Sequence, residues 1–160
     1  MNRTSGFTLV ELMVTLTVLA IMIAVGVPGF NQFVQGQRTT TQVNAVIQAV
    51  NLARSEALSR GRPTALRSMD GDFNTGFELW VDGNSDGDYV DAEDEALRVY
   101  EPIQQASYAF SADPLNFLAS GWLGAAYTVN VLADGCKQQN DRNIFITRTG
   151  GINVVRNNCP

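Results

Sequence analysis

The densest set of chemically capable side chains runs from Asp82 to Glu93, as Asp82-Gly83-Asn84-Ser85-Asp86-Gly87-Asp88-Tyr89-Val90-Asp91-Ala92-Glu93. It fits the twelve-residue calcium-loop pattern DxNxDGxxxxxE at every position. Oxygens at Asp82, Asn84 and Asp86 would converge on one side and Gly87 would allow the sharp turn. The Asp88 carbonyl would add a ligand and Glu93 would close the shell with two oxygens. Calcium is therefore the candidate cofactor. The flanks, however, have the alternating pattern of strands where a helix–loop–helix calcium site has helices, so the same residues also read as a charged hairpin loop.

Other chemistry is narrowed by absence. The sequence has no histidine, which removes the commonest general base and the commonest metal ligand. It also lacks a GxSxG elbow, a GxxxxGK[ST] phosphate loop and a GxGxxG fingerprint. No enzyme is expected. The net charge of -5 repels nucleic-acid phosphates, so nucleic acid is not expected as a main partner. The two cysteines, Cys136 and Cys159, lie near the C terminus. In an oxidising compartment they are expected to pair; two buried free thiols are the alternative.

The compartment follows from the N-terminal stretch. Across residues 7–27 the only ionisable side chain is Glu11. About twenty helical residues at about 1.5 Å rise cover a hydrocarbon core of roughly 30 Å. The segment is expected to span a membrane. A cleaved signal peptide is the competing reading, since Arg3 precedes an apolar run. Against it, the run is long and is followed by Val25-Gly26-Val27-Pro28 in place of a small-x-small cleavage site. A carboxylate in such a segment costs roughly 2.5–3.5 kcal/mol at mid-membrane, which marks Glu11 as functional.

Gly6-Phe7-Thr8-Leu9-Val10-Glu11 and the apolar run behind it resemble the N terminus of type IV pilins and of type II secretion pseudopilins. The resemblance implies a leader over residues 1–6, cleavage by a prepilin peptidase between Gly6 and Phe7, and an N-methylated Phe7. Physical chemistry gives Glu11 a matching task. Cleavage leaves a cationic amine on Phe7, and Glu11 follows one turn later, where the helix dipole favours an anion. In a filament the Glu11 of one subunit could neutralise the Phe7 amine of its neighbour. A carboxylate merely solvated at the membrane edge is the simpler alternative.

The elements that position these residues follow in order. Gly26-Val27-Pro28-Gly29 predicts a kink or brief melt, because proline removes a donor and crowds the preceding turn. Beyond it Val43, Val46, Ile47, Val50, Ala53, Ala57 and Leu58 recur at helical spacing between polar residues, an amphipathic helix to about Ser59. Gly61 and Pro63 stop it. Strands are expected over 64–67, 77–81, 97–101, 127–132, 143–148 and 152–156, the last two joined as a hairpin at Gly150-Gly151.

The expected fold class is α+β, pilin-like: a long N-terminal membrane-spanning helix packed against a small antiparallel β-sheet domain. Residues 7–27 form its transmembrane half and 28–160 a periplasmic domain that includes the amphipathic helix. Leu52-Ala53-Arg54-Ser55-Glu56-Ala57 on the helix, and Phe77 to Trp80 on a strand, are similar to the GspH/FimT family of minor pilins. That resemblance implies an inner-membrane, single-pass protein that joins other pilins or pseudopilins in a filament. DNA-binding members of the FimT type carry a GRxR motif where this chain has Gly150-Gly151-Ile152-Asn153, without either arginine. Lys137, Arg142, Arg148 and Arg156 still make the end basic, so a DNA-uptake role is the alternative to a solvated basic face.

Overall fold

The computed structural model describes residues 8–88, 92–104, 106–135 and 140–159, with the backbone alone at Pro28 and Gln32. The chain divides into two compact units, 1–34 and 35–160. One α-helix, α1 (Leu9–Arg60), contributes to both. Thr8 caps its start: the Thr8 hydroxyl accepts from the Glu11 N–H at 3.3 Å, and the Thr8 carbonyl from the Leu12 N–H at 3.2 Å. Thr-x-x-Glu is a capping-box sequence, legible in the chain itself.

The expected melt at Gly26-Val27-Pro28-Gly29 does not occur, because α1 is continuous through these residues. Proline forfeits one backbone bond, and a helix with whole turns on either side retains the rest. The C-terminal stop is as expected. Gly61 takes a left-handed φ of +64° and its N–H reaches the Ala57 carbonyl at 2.9 Å.

In the second unit, α1 buries Val43, Val46, Ala49, Val50, Ala53 and Ala57. Ala49 belongs to this stripe in addition to the residues expected from the spacing. Leu58, one residue beyond Ala57 and so about 100° around the helix, is 54% exposed. Small side chains at 49, 53 and 57 let the helix backbone approach the strands. The hydroxyl of buried Thr64 then donates to the Ala53 carbonyl at 3.0 Å.

The small antiparallel β domain expected is present, and among the described residues it consists of two four-stranded sheets. The first has the order β3-β2-β1-β5, from β1 (Thr64–Ser68), β2 (Phe77–Val81), β3 (Glu95–Tyr100) and β5 (Leu115–Phe117). The second has the order β4-β6-β7-β8, from β4 (Ala106–Phe110), β6 (Tyr127–Ala133), β7 (Asp141–Ile146) and β8 (Ile152–Asn157). Leu66, Phe77, Leu79, Leu115 and Phe117 of the first sheet share one core with Val129, Val131, Ile144 and Ile146 of the second and with the α1 stripe. Strands β4 and β5 were not expected. The predicted β7–β8 hairpin is present, with Gly150 at φ +81° and its N–H bonded to the Thr147 carbonyl at 2.8 Å.

Candidate functional site

Two places carry the chemistry anticipated from the residues: the start of α1 and the loop between β2 and β3. At the first, Glu11 is exposed in the opening turn of a helix whose neighbouring side chains, including Leu9, Val10, Leu12 and Met13, are apolar and exposed. This helix is long and apolar enough to cross a membrane. Within residues 9–27 its two hydroxyl side chains are satisfied internally: Thr15 donates to the Leu12 carbonyl and Thr17 to the Met13 carbonyl, both at 2.8 Å. Such back-bonding lets threonine sit in hydrocarbon without an orphaned donor. Gly6 and Phe7 lie outside the described residues.

In the β2–β3 loop, Asp82 is buried, while Asn84, Asp86, Asp88 and Glu93 are exposed. The Asp82 carboxylate accepts from the backbone N–H of Ser85 and, at 2.9 Å, of Gly87. The Asn84 side-chain oxygen takes the Asp86 N–H at 3.0 Å, and the Asp86 carboxylate the Asp88 N–H at 2.8 Å. These successive side-chain turns, with Gly87 at φ +87°, produce the tight curl foreseen from the spacing. Gly83 is required here by space: a Cβ would stand 1.6 Å from the Glu93 carbonyl oxygen.

The carboxylates are held apart by donors. The Asn84 side-chain amide donates to Asp86 at 2.9 Å and to Glu93 at 3.2 Å, so an N–H group rather than a ligand oxygen faces both acids. Among the described residues, no three acids, cysteines or histidines are gathered as a metal-holding group. The loop thus has a calcium loop's sequence and curl, and the arrangement of a hydrogen-bonded hairpin connection. Tyr89, Val90 and Asp91 lie outside the described residues.

At the C-terminal end, Cys159 is disulfide-bonded. Cys136 and Lys137 lie outside the described residues. The remaining basic residues do not form one patch. Arg142 and Arg156 face each other across β7 and β8, whereas Arg148 is exposed in the turn between those strands. Arg142 is buried, and its guanidinium donates to the Asp141 carbonyl at 2.9 Å.

The comparisons with known proteins agree with this architecture. The crystal structure of the type IV minor pilin FimU of Pseudomonas aeruginosa is similar with a TM-score of 0.58 at 22% identity, covering 79% of this chain and 92% of that one. The minor pseudopilin EpsH from the type 2 secretion system of Vibrio cholerae is similar with a TM-score of 0.52 at 14% identity, covering 74% of this chain and 97% of that one. At these identities the likeness concerns the fold. No curated protein sequence gives a significant match. The model of the type II transport protein GspH matches residues 42–150, and the prokaryotic N-terminal methylation motif matches residues 1–27. Two family signatures, in the order a pilin requires and on a pilin-like fold, leave one assignment: the chain belongs to the GspH family and is a minor pilin or pseudopilin.

Proposed function

We propose that the chain is made as an inner-membrane prepilin, cut between Gly6 and Phe7 by a prepilin peptidase and methylated on the new Phe7 amine. Its body lies in the periplasm, and it enters a type IV pilus or a type II secretion pseudopilus as a minor, non-catalytic subunit. The observation that carries this reading is Glu11, the sole ionisable side chain of residues 7–27, inside a methylation motif that precedes the GspH match. Family membership supports filament assembly over the DNA-uptake alternative, and the chain lacks both arginines of the GRxR motif. In the same oxidising compartment, Cys136 and Cys159 close a C-terminal loop as one disulfide.

Glu11→Leu tests the proposal. Insertion into the membrane gains an apolar residue, and only docking to the neighbouring Phe7 amine loses a partner. The variant is expected to be cleaved to Phe7 and retained in the membrane, yet absent from sheared filaments or cross-linked pseudopili. Mass spectrometry showing a mature wild-type N terminus other than Phe7 would remove the processing step. Unimpaired incorporation of Glu11→Leu would remove the role of Glu11.

A further inference from the structure

β8 is the outer strand of its sheet, and among the described residues no strand pairs with its free side. Its register with β7 runs unbroken from Asp141↔Asn157 to Ile146↔Ile152. Val154 and Val155, on opposite faces of the strand, are 38% and 40% exposed. Open edges are normally blunted by lysine, proline or a bulge, because their unpaired N–H and C=O groups are a template for another strand. The stretch Ile152–Asn157 contains neither lysine nor proline, and its pairing shows no bulge.

Beside this edge runs a groove of about 270 Å³, with Val43 and Ile47 of α1 on one wall and Arg142, Val154 and Arg156 on the other. Arg142 and Arg156 are directly opposed in the β7–β8 pairing. Like charges in that relation weaken a sheet. Burial first, and then the Arg156 guanidinium, push the Arg142 pKa below its ordinary value, against the opposing pull of Asp141. The Asp141 carboxylate is itself engaged by the Ala133 N–H at 3.0 Å. Arg156, the exposed member of the pair, is open to a carboxylate from outside. Beside the polar Thr40 and Asn44, the aliphatic Val43, Ile47 and Val154 suit the next side chain of an extended peptide, whereas a single-stranded nucleic acid would call for aromatic stacking surfaces.

We propose that the free edge of β8 accepts an extended segment of a neighbouring filament subunit, pairing as a fifth strand with a carboxylate at Arg156 and an aliphatic side chain against Val43, Ile47 and Val154. The proposal rests on the filament reading and names the contact within it. The test places a photo-crosslinking residue at Val154 of the full chain, in cells that assemble the filament, and compares amide exchange of β8 in the filament and in the free chain. The expected product is a peptide of another filament subunit with Asp or Glu next to an aliphatic residue, and β8 amides that exchange at least about tenfold more slowly in the filament. Arg156→Glu should lower the crosslink by about tenfold, and Arg156→Lys should retain it. Crosslinks to nucleic acid, lipid or a second copy of this chain would overturn the proposal, as would unchanged exchange. If the wild-type chain is incorporated into filaments while β8 exchanges as in the free chain, the docking proposal fails alone. If it is absent from filaments, the filament reading falls and takes this contact with it.

Discussion

Residues 9–34 and 35–60 belong to the same α-helix and share its geometry, yet their side chains meet opposite fates. In the first stretch the large apolar residues from Leu9 to Val27 are exposed. In the second, Val43, Val46, Ala49, Val50, Ala53 and Ala57 are buried against the two sheets. The sequences differ accordingly. The first is apolar around the whole circumference, which suits a solvent that is itself apolar; the second has one apolar stripe and a polar remainder, which suits packing on one side with water on the other. Burial in a water-soluble sense is therefore the wrong criterion for the first half, and circumference rather than average hydrophobicity separates the two.

A charge placed in each half is the strongest way to break this comparison. Ala53→Asp would bury a carboxylate without a cation, at a cost of about 3–5 kcal/mol. The variant of residues 35–160 is expected to lose its cooperative urea transition. Leu19→Asp should leave that transition where it was and instead weaken membrane insertion by about 3 kcal/mol, read from the fraction extracted by carbonate. If Leu19→Asp lowered the urea midpoint as Ala53→Asp does, the two halves would not be answering to different solvents.

Reduction of the proposed Cys136–Cys159 disulfide should act on the second unit alone. Releasing a loop of this length lowers stability by about 3 kcal/mol, so the melting temperature of residues 35–160 should fall with dithiothreitol while membrane retention of the full chain is unchanged. Two free thiols in periplasm-made protein would contradict the pairing. Calcium sharpens the same distinction. If Asp82, Asn84, Asp86, Asp88 and Glu93 bind the ion, a hundredfold excess over Kd adds about 2.7 kcal/mol, and Asp86→Ala abolishes the gain. The response requires the Asn84 amide to turn its nitrogen away from Asp86 and Glu93. Equal small shifts with calcium and magnesium, in wild type and variant alike, would leave only a hydrogen-bonded hairpin loop.

The smallest expected effect concerns a polar contact that only the packed half of the helix can make. The Tyr108 hydroxyl donates to the Gln42 side-chain oxygen at 2.8 Å. Tyr108→Phe should cost about 1 kcal/mol at neutral pH. Burial pushes the Tyr108 phenol well above its ordinary pKa, because the phenolate would be desolvated. The unfolded chain releases this proton near pH 10 and the folded chain resists doing so. Stability is thus at its full value below pH 10 and declines as pH rises further, up to the raised folded pKa. The Phe variant should flatten part of that alkaline decline in a pH series of urea melts, leaving the share due to Tyr100, whose phenol burial also raises. A slope identical to wild type would place Tyr108 in contact with water.

Much of this was readable without coordinates because it is local in the chain. The membrane-length apolar run, the stop at Gly61, the α1 stripe and the Gly150 turn each depend on residues within a few positions of one another. β4 was legible too: Ala106, Tyr108 and Phe110 alternate at the strand period. By contrast β5 is three residues long, and it is a strand only because Thr64↔Phe117 and Leu66↔Leu115 bring it beside β1. The division into two sheets likewise depends on which strands are neighbours across long separations, and on a core that both sheets share with α1. The β2–β3 loop divides the same way. Its pattern set the curl through side-chain bonds to N–H groups two to five residues on, but the orientation of the Asn84 amide between Asp86 and Glu93 depends on how two strand ends close together. Local periodicity and turn chemistry are written residue by residue, whereas pairings between distant strands are settled by competition for a single core, and that competition takes place only in three dimensions.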